Sequence, residues 1–178
     1  MTGLDTRRVA VAGVLGALTV ILGVTGVGFI PVPTPAGAMT FAHLPTILAG
    51  ILGGPLMGSL VGLMFGLTTF QFLPDFRVVI PARVLIGPVA FAVYAALRRG
   101  RRQGNGGRAL AAPAAAVAGS LTNTVGTLTL AVVFGYIPLA GKTGALGIAL
   151  LQGGPEALAS ALVLAPIVYA VNKVLPER

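Results

Sequence analysis

Residues 9–29 run for 21 positions without a charged side chain, and their only polar side chains are Thr19 and Thr25. A helix needs about 20 such residues to cross the ~30 Å hydrocarbon core of a bilayer. The stretch is too long for the apolar core of a cleaved signal peptide, and further apolar stretches follow it. Only 9% of the 178 residues are charged and 56% are hydrophobic, whereas a soluble domain carries about 25% charged residues. Twelve Lys and Arg with four Asp and Glu cannot coat a water-exposed surface of this size. Disorder is excluded by the same figures, because it requires low hydrophobicity and dense charge. An integral membrane protein remains.

Prolines, glycines and charges divide the rest of the chain. Pro31, Pro33 and Pro35 exclude helix from residues 30–39, which read as an ordered, proline-stiffened loop. Residues 41–52 and 56–70 form two short apolar spans separated by Gly53-Gly54-Pro55, with Pro55 suited to the first turn of the second. A connector with Asp75 and Arg77 leads to Pro81, which is predicted to open a fourth span ending at Leu97. Residues 98–108, the longest polar run, read as a loop. A fifth span covers 110–134, and 158–174 form the core of a sixth. The piece 145–151 is too short to cross and is predicted to lie on the surface or re-enter.

The expectation is one all-α domain over residues 1–178, a polytopic membrane protein of six transmembrane helices with a pocket facing outward. Gly53-Gly54-Pro55 and Gly153-Gly154-Pro155 both precede apolar helices, on opposite sides, as an inverted repeat would place them.

Cations in short loops set orientation. The side holding both termini carries Arg7, Arg8, Arg98, Arg99, Arg101, Arg102, Arg108, Lys173 and Arg178; the other carries Arg77, Arg83 and Lys142. Nine against three gives both termini inside. The same asymmetry explains the net charge of +8 without nucleic acid as a partner. The 98–108 cluster is a topology determinant, with contact to anionic lipid as a second role.

Polar groups deep in a bilayer are costly, so each needs a reason. His43, Arg83, Gln152 and Glu156 fall near the outer ends of their helices, and Asn123 lies closer to mid-depth. Glu156, in the first turn of its helix, either complements the helix dipole, accepts hydrogen bonds from a ligand, or pairs with Arg83. Arg83 either snorkels to the interface or presents its donor fork to a ligand. His43 caps a helix or touches a ligand, and Asn123 bonds a neighbouring helix or joins them. Phe29, Phe41, Phe70 and Phe72 gather at the same rim, where one or two can stack on a planar ligand. Small residues four apart, Ala12/Gly16 and Gly13/Ala17, allow close helix approach, and Gly50/Gly54 and Gly58/Gly62 repeat the pattern. The sequence has no cysteine, one histidine and no nucleotide-binding or hydrolase motif. The reading is a non-enzyme without metal or cofactor that depends on an external energy source for uphill transport.

The basic start RRVAVAGVLGAL, the proline loop and FAHLPTILAGILGGPLMGSLVGL resemble the S components of energy-coupling factor (ECF) vitamin transporters. FLPDFRVVIPARVLIGPVAFAVY, GSLTNTVGTL and GGPEALASALVLAPIVYAV are similar to the folate, pantothenate and hydroxymethylpyrimidine branches. The resemblance implies a multi-pass cell-membrane subunit that captures a vitamin or vitamin precursor. It implies association with a transmembrane coupling subunit and two cytoplasmic ATPases, and toppling in the membrane. Arg83, Asn123 and Glu156 become pocket residues, with His43, Gln152, Phe41 and Phe72 beside them. The loop with Pro31, Pro33 and Pro35 becomes a gate. Gly13/Ala17, and next Ala12/Gly16, become the contact to the coupling subunit. The competing readings are a self-sufficient small carrier or channel, a membrane enzyme acting on lipid, and a structural subunit without a ligand. Sparse acids count against the first, and the lack of paired acids or histidines against the second.

Overall fold

The computed structural model describes residues 6–33, 38–71, 74–100 and 105–174, which form seven α-helices and one β-hairpin. Helix α1 (Thr6–Val24) stops before the predicted end at Phe29. Gly26 takes up the left-handed region at φ 75°, which glycine enters without penalty, and the chain turns into β1 (Phe29–Pro31). β1 pairs antiparallel with β2 (Ala38–Thr40), Phe29 opposite Thr40 and Pro31 opposite Ala38. The proline segment, expected to be a loop, is therefore a hairpin. Each of its strands has a free edge, where a proline costs no ladder bond. Pro31 and Pro33 are described; Pro35 lies outside the described residues.

One residue separates α2 (Leu44–Gly53) from α3 (Pro55–Thr68). Gly54 sits at φ 95°, outside the range of ordinary L residues, and Pro55 starts the next helix where no N–H is needed. The two helices fold back on each other so closely that a Cβ on Gly58 would lie 2.8 Å from the Gly50 Cα. At 1.5 Å per residue they are about 15 and 21 Å long, shorter than the hydrocarbon core. A 3₁₀ turn (Thr69–Gln71) extends α3.

Three expectations are corrected beyond this point. α4 spans Phe76–Gly100, so Pro81 lies inside the helix and does not open it. Asp75 is the start signal: its Oδ1 accepts the Arg77 N–H at 2.9 Å, and its carbonyl accepts Val78 and Val79. The described part of the polar run 98–108 is helical, because α4 continues to Gly100 and α5 (Asn105–Val133) begins at Asn105, while 101–104 lie outside the described residues. Arginine is a good helix former, and Arg98 and Arg99 complement the C-terminal dipole of α4. Residues 145–151 are not a separate piece but are continuous with the last helix, and Leu146, Leu150 and Leu151 are exposed. Short α6 (Ala145–Ile148) passes through a π turn (Ala149–Gly153) into α7 (Gly154–Val174). Pro155 withholds one N–H near the head of α7, and a widened turn is a place where a helix absorbs such a fault.

The two Gly-Gly-Pro segments thus behave differently. Gly54 reverses the chain, whereas Gly154 is helical at φ −62°, ψ −57°. Three shared letters do not mark a structural repeat here.

Four helical stretches among the described residues are long and apolar enough to cross a membrane: Thr6–Val24, Phe76–Arg99, Leu110–Val133 and Ala145–Lys173. Their exposed faces are apolar, with Val14, Ile21, Leu85, Val125, Leu158 and Leu162 outward. Thr46, Arg83, Ser120, Asn123, Glu156 and Ser160 are buried. That reversal of the usual arrangement suits a lipid surround. A glycine row holds the bundle centre together. Gly58, Gly62 and Gly66 of α3 face Gly87, the Arg83 backbone and Ile80 of α4, so the two helices run antiparallel with almost no side chain between them. Without a hydrophobic driving force between helices in lipid, such backbone approach and its dispersion contacts supply the attraction.

Candidate functional site

The glycine row determines where Arg83 sits. A Cβ on Gly62 would collide with the Arg83 carbonyl, and one on Gly66 would touch the Arg83 Cβ and Cγ at 3.6 Å. With its backbone against α3, Arg83 extends its guanidinium 4.6 Å from the centre of the Phe65 ring. Its Nη1 donates to Asn123 Oδ1 at 2.6 Å and to the Thr127 hydroxyl. Thr127 in turn donates to the Asn123 carbonyl. Asn123, Thr124 and Thr127 share one face of α5 because they are spaced by one helical turn.

Glu156 approaches from the head of α7. One carboxylate oxygen accepts the backbone N–H of Thr40 at 2.7 Å, and the other accepts the Thr124 hydroxyl at 3.2 Å. The β-hairpin is therefore tied to α5 through a single carboxylate. Arg83 is 8% exposed and Glu156 4%. Two buried ions are tolerable only when paired or hydrogen-bonded. Each has its own partners, and no direct ion pair joins them.

Between them lies a cavity of about 250 Å³. Arg83, Asn123, Thr124, Thr127, Gln152 and Glu156 make its polar wall. Val79, Leu128, Ala131 and Ile148 make the apolar one, with Phe29, Ala38 and Thr40 of the hairpin on one edge and Tyr136 and Ile137 on another. A largely apolar recess with a few convergent polar groups is the usual form of a small-molecule site.

Tyr136 is pinned from outside. Its hydroxyl donates to Asp75 Oδ2 at 2.8 Å, and Arg77 pairs with the same carboxylate at 2.8 Å while lying 4.5 Å over the Phe134 ring. The hydrogen bonds from Arg77, then Tyr136, hold the Asp75 carboxyl well below the usual carboxylate range. The hydrogen bond to Asp75 pushes the Tyr136 hydroxyl up, so it stays a neutral donor.

A family model for the ECF transporter substrate-specific component matches residues 7–171, a stretch that includes every residue holding the cavity. The chain belongs to that family. It is therefore a substrate-binding membrane subunit of the kind that works with the other components of an ECF transporter. No curated protein matches the chain.

In this substrate-specific component, four of the residues singled out in the sequence meet at the cavity: Arg83, Asn123, Gln152 and Glu156. His43 is fully buried outside the cavity lining, where its Nε2 meets the Ser160 hydroxyl at 3.1 Å. Phe41 is half-buried and also off the lining, and Phe72 lies outside the described residues. Of the two small pairs on α1, Ala12 and Gly16 are buried in the bundle, a Cβ on Gly16 falling 2.6 Å from Met64 Sδ. Gly13 and Ala17 are exposed, with nothing within 4 Å of a Cβ on Gly13.

Sequence reasoning missed Thr40, Thr124, Thr127 and Tyr136. For α5 a signal existed: Ser120, Asn123, Thr124 and Thr127 fall at i, i+3, i+4 and i+7, the spacing of one helix face.

Proposed function

We propose that the protein captures a vitamin or vitamin precursor, of the pantothenate, folate or hydroxymethylpyrimidine class, in the Arg83–Glu156 cavity at the outer face of the cell membrane. It delivers this ligand for ATP-driven uptake by a transmembrane coupling subunit and two cytoplasmic ATPases. The observation that carries the reading is the convergence of Arg83, Asn123 and Glu156 on one cavity inside an apolar bundle. Such expensive groups gather in a membrane where something polar has to be held.

In this reading the chain is a single six-span domain with both termini inside, α2 and α3 serving as the two short crossings. The cation count of nine against three supports that orientation. The β1–β2 hairpin is the gate, and its bond from Thr40 to Glu156 ties the gate to the site. The exposed Gly13/Ala17 face of α1 meets the coupling subunit, because Ala12/Gly16 is already used within the bundle. The protein binds and does not catalyse.

Native mass spectrometry of the purified protein tests the reading. A retained vitamin-sized ligand is expected, displaced when the same vitamin is added in isotope-labelled form. Protein that stays empty across a vitamin panel refutes the proposal.

A further inference from the structure

Resting on the capture reading, we infer that the cavity selects a ligand with no net charge, one that offers an acceptor to Arg83 and a donor to Glu156. The argument is a charge count. Of the side chains lining the cavity, Arg83 and Glu156 are the charged ones, and they cancel. Both oxygens of Glu156 act as acceptors, one from the Thr40 N–H and one from the Thr124 hydroxyl, the arrangement that suits a carboxylate. Arg83 is cationic, with its Nη1 donating twice. Tyr136 is a neutral phenol whose hydroxyl donates to Asp75. The rim pair Asp75–Arg77 also sums to zero.

A ligand carrying a full net charge into this balanced recess leaves one charge uncompensated beside buried groups, and that is the expensive arrangement in a low-dielectric interior. A neutral molecule with separated donor and acceptor groups meets both ions without that cost. The cavity of about 250 Å³ has room for a substituted ring. Phe29 and Tyr136 on the edges suit a flat ring.

The test uses three probes that differ in charge at pH 7.5: hydroxymethyl-aminopyrimidine (neutral), pantothenate (monoanion) and folate (dianion). Binding to the intact protein in lipid nanodiscs is measured by calorimetry. Wild type should prefer the neutral probe to pantothenate by about tenfold or more. Glu156→Gln gives the pocket one net positive charge and should move the preference toward pantothenate by a similar factor. Arg83→Gln should move it toward the N-methylated, cationic form of the pyrimidine, so the count is still read if one variant does not fold. Wild type preferring pantothenate or folate overturns the inference and leaves capture intact; so does a ranking unmoved in the variants that fold. Wild type that binds no probe, and is empty in native mass spectrometry, ends both.

Discussion

At the end of the bundle that carries the α2–α3 turn, helices meet through hydrogens and methyl groups. Gly50, Gly58 and Gly87 bring three backbones together, and Ala112, Ala115 and Ala116 line the buried face of α5. The polar contacts there close on themselves: Asn172 and Arg98 both donate to the Tyr94 hydroxyl. At the other end, the same helices carry Arg83, Asn123, Thr127 and Glu156 around an open volume. The change happens within one turn of α4, from Gly87 to Arg83. Side-chain size decides helix separation in lipid, where close packing is the main attraction. The tight end is what gives the loose end a fixed geometry, because the backbone of Arg83 is seated by the glycines that hold the bundle closed.

The largest expected effect breaks the tight end. Gly87→Val places a Cβ 2.5 Å from the Gly58 carbonyl carbon and should cost about 3 kcal/mol or more, seen as a lower melting temperature and loss of monodispersity in detergent. Disrupting the loose end should spare the fold and remove the ligand. Arg83→Ala and Glu156→Ala are each expected to weaken binding about a hundredfold in calorimetry, and unchanged affinity in both removes the site. Gly54→Ala sharpens the comparison from a third side. It meets no neighbour, only a strained φ of 95°, so its cost should be about 1–3 kcal/mol from the backbone alone, with no loss of packing.

On α1, Gly13→Leu should leave melting unchanged while abolishing co-purification with the coupling subunit, whereas Gly16→Leu should lower melting. The smallest effect is at the Asp75 latch. A carboxylate whose folded pKa is depressed stabilises the fold fully above its unfolded value near ~3.9 and loses that contribution as pH falls below it. Wild-type melting should therefore drop more steeply than that of Asp75→Asn as pH is lowered from 5 toward about 3; parallel curves rule the latch out as a stabilising contact.

Much of this was legible from scarcity. In a chain with four acids and one histidine, a polar residue inside an apolar run stands out, and Arg83, Asn123, Gln152 and Glu156 were found that way. Thr124 and Thr127 were not, because threonine is unremarkable in a membrane helix until its face is known. The Thr40–Glu156 bond joins residues 116 positions apart through a backbone N–H, which no side-chain pattern announces. His43 was as conspicuous as Arg83, yet its partner is Ser160, one turn beyond Glu156 and off the cavity. Rarity marks a residue as costly to bury, and direction decides what it serves. The start of α4 was misread for a related reason: Pro81 is the louder letter, and Asp75, which caps the helix, is the stronger chemistry.

The wide turn at Ala149–Gly153 has a bearing on where the last helix points its side chains. One extra residue in an α-helix rotates everything before it by about 100° relative to everything after it. Ahead of the turn, Ile148 faces the ligand space; beyond it, Glu156 does. The extra width of that turn sets the heading of Glu156 apart from that of the residues ahead of it.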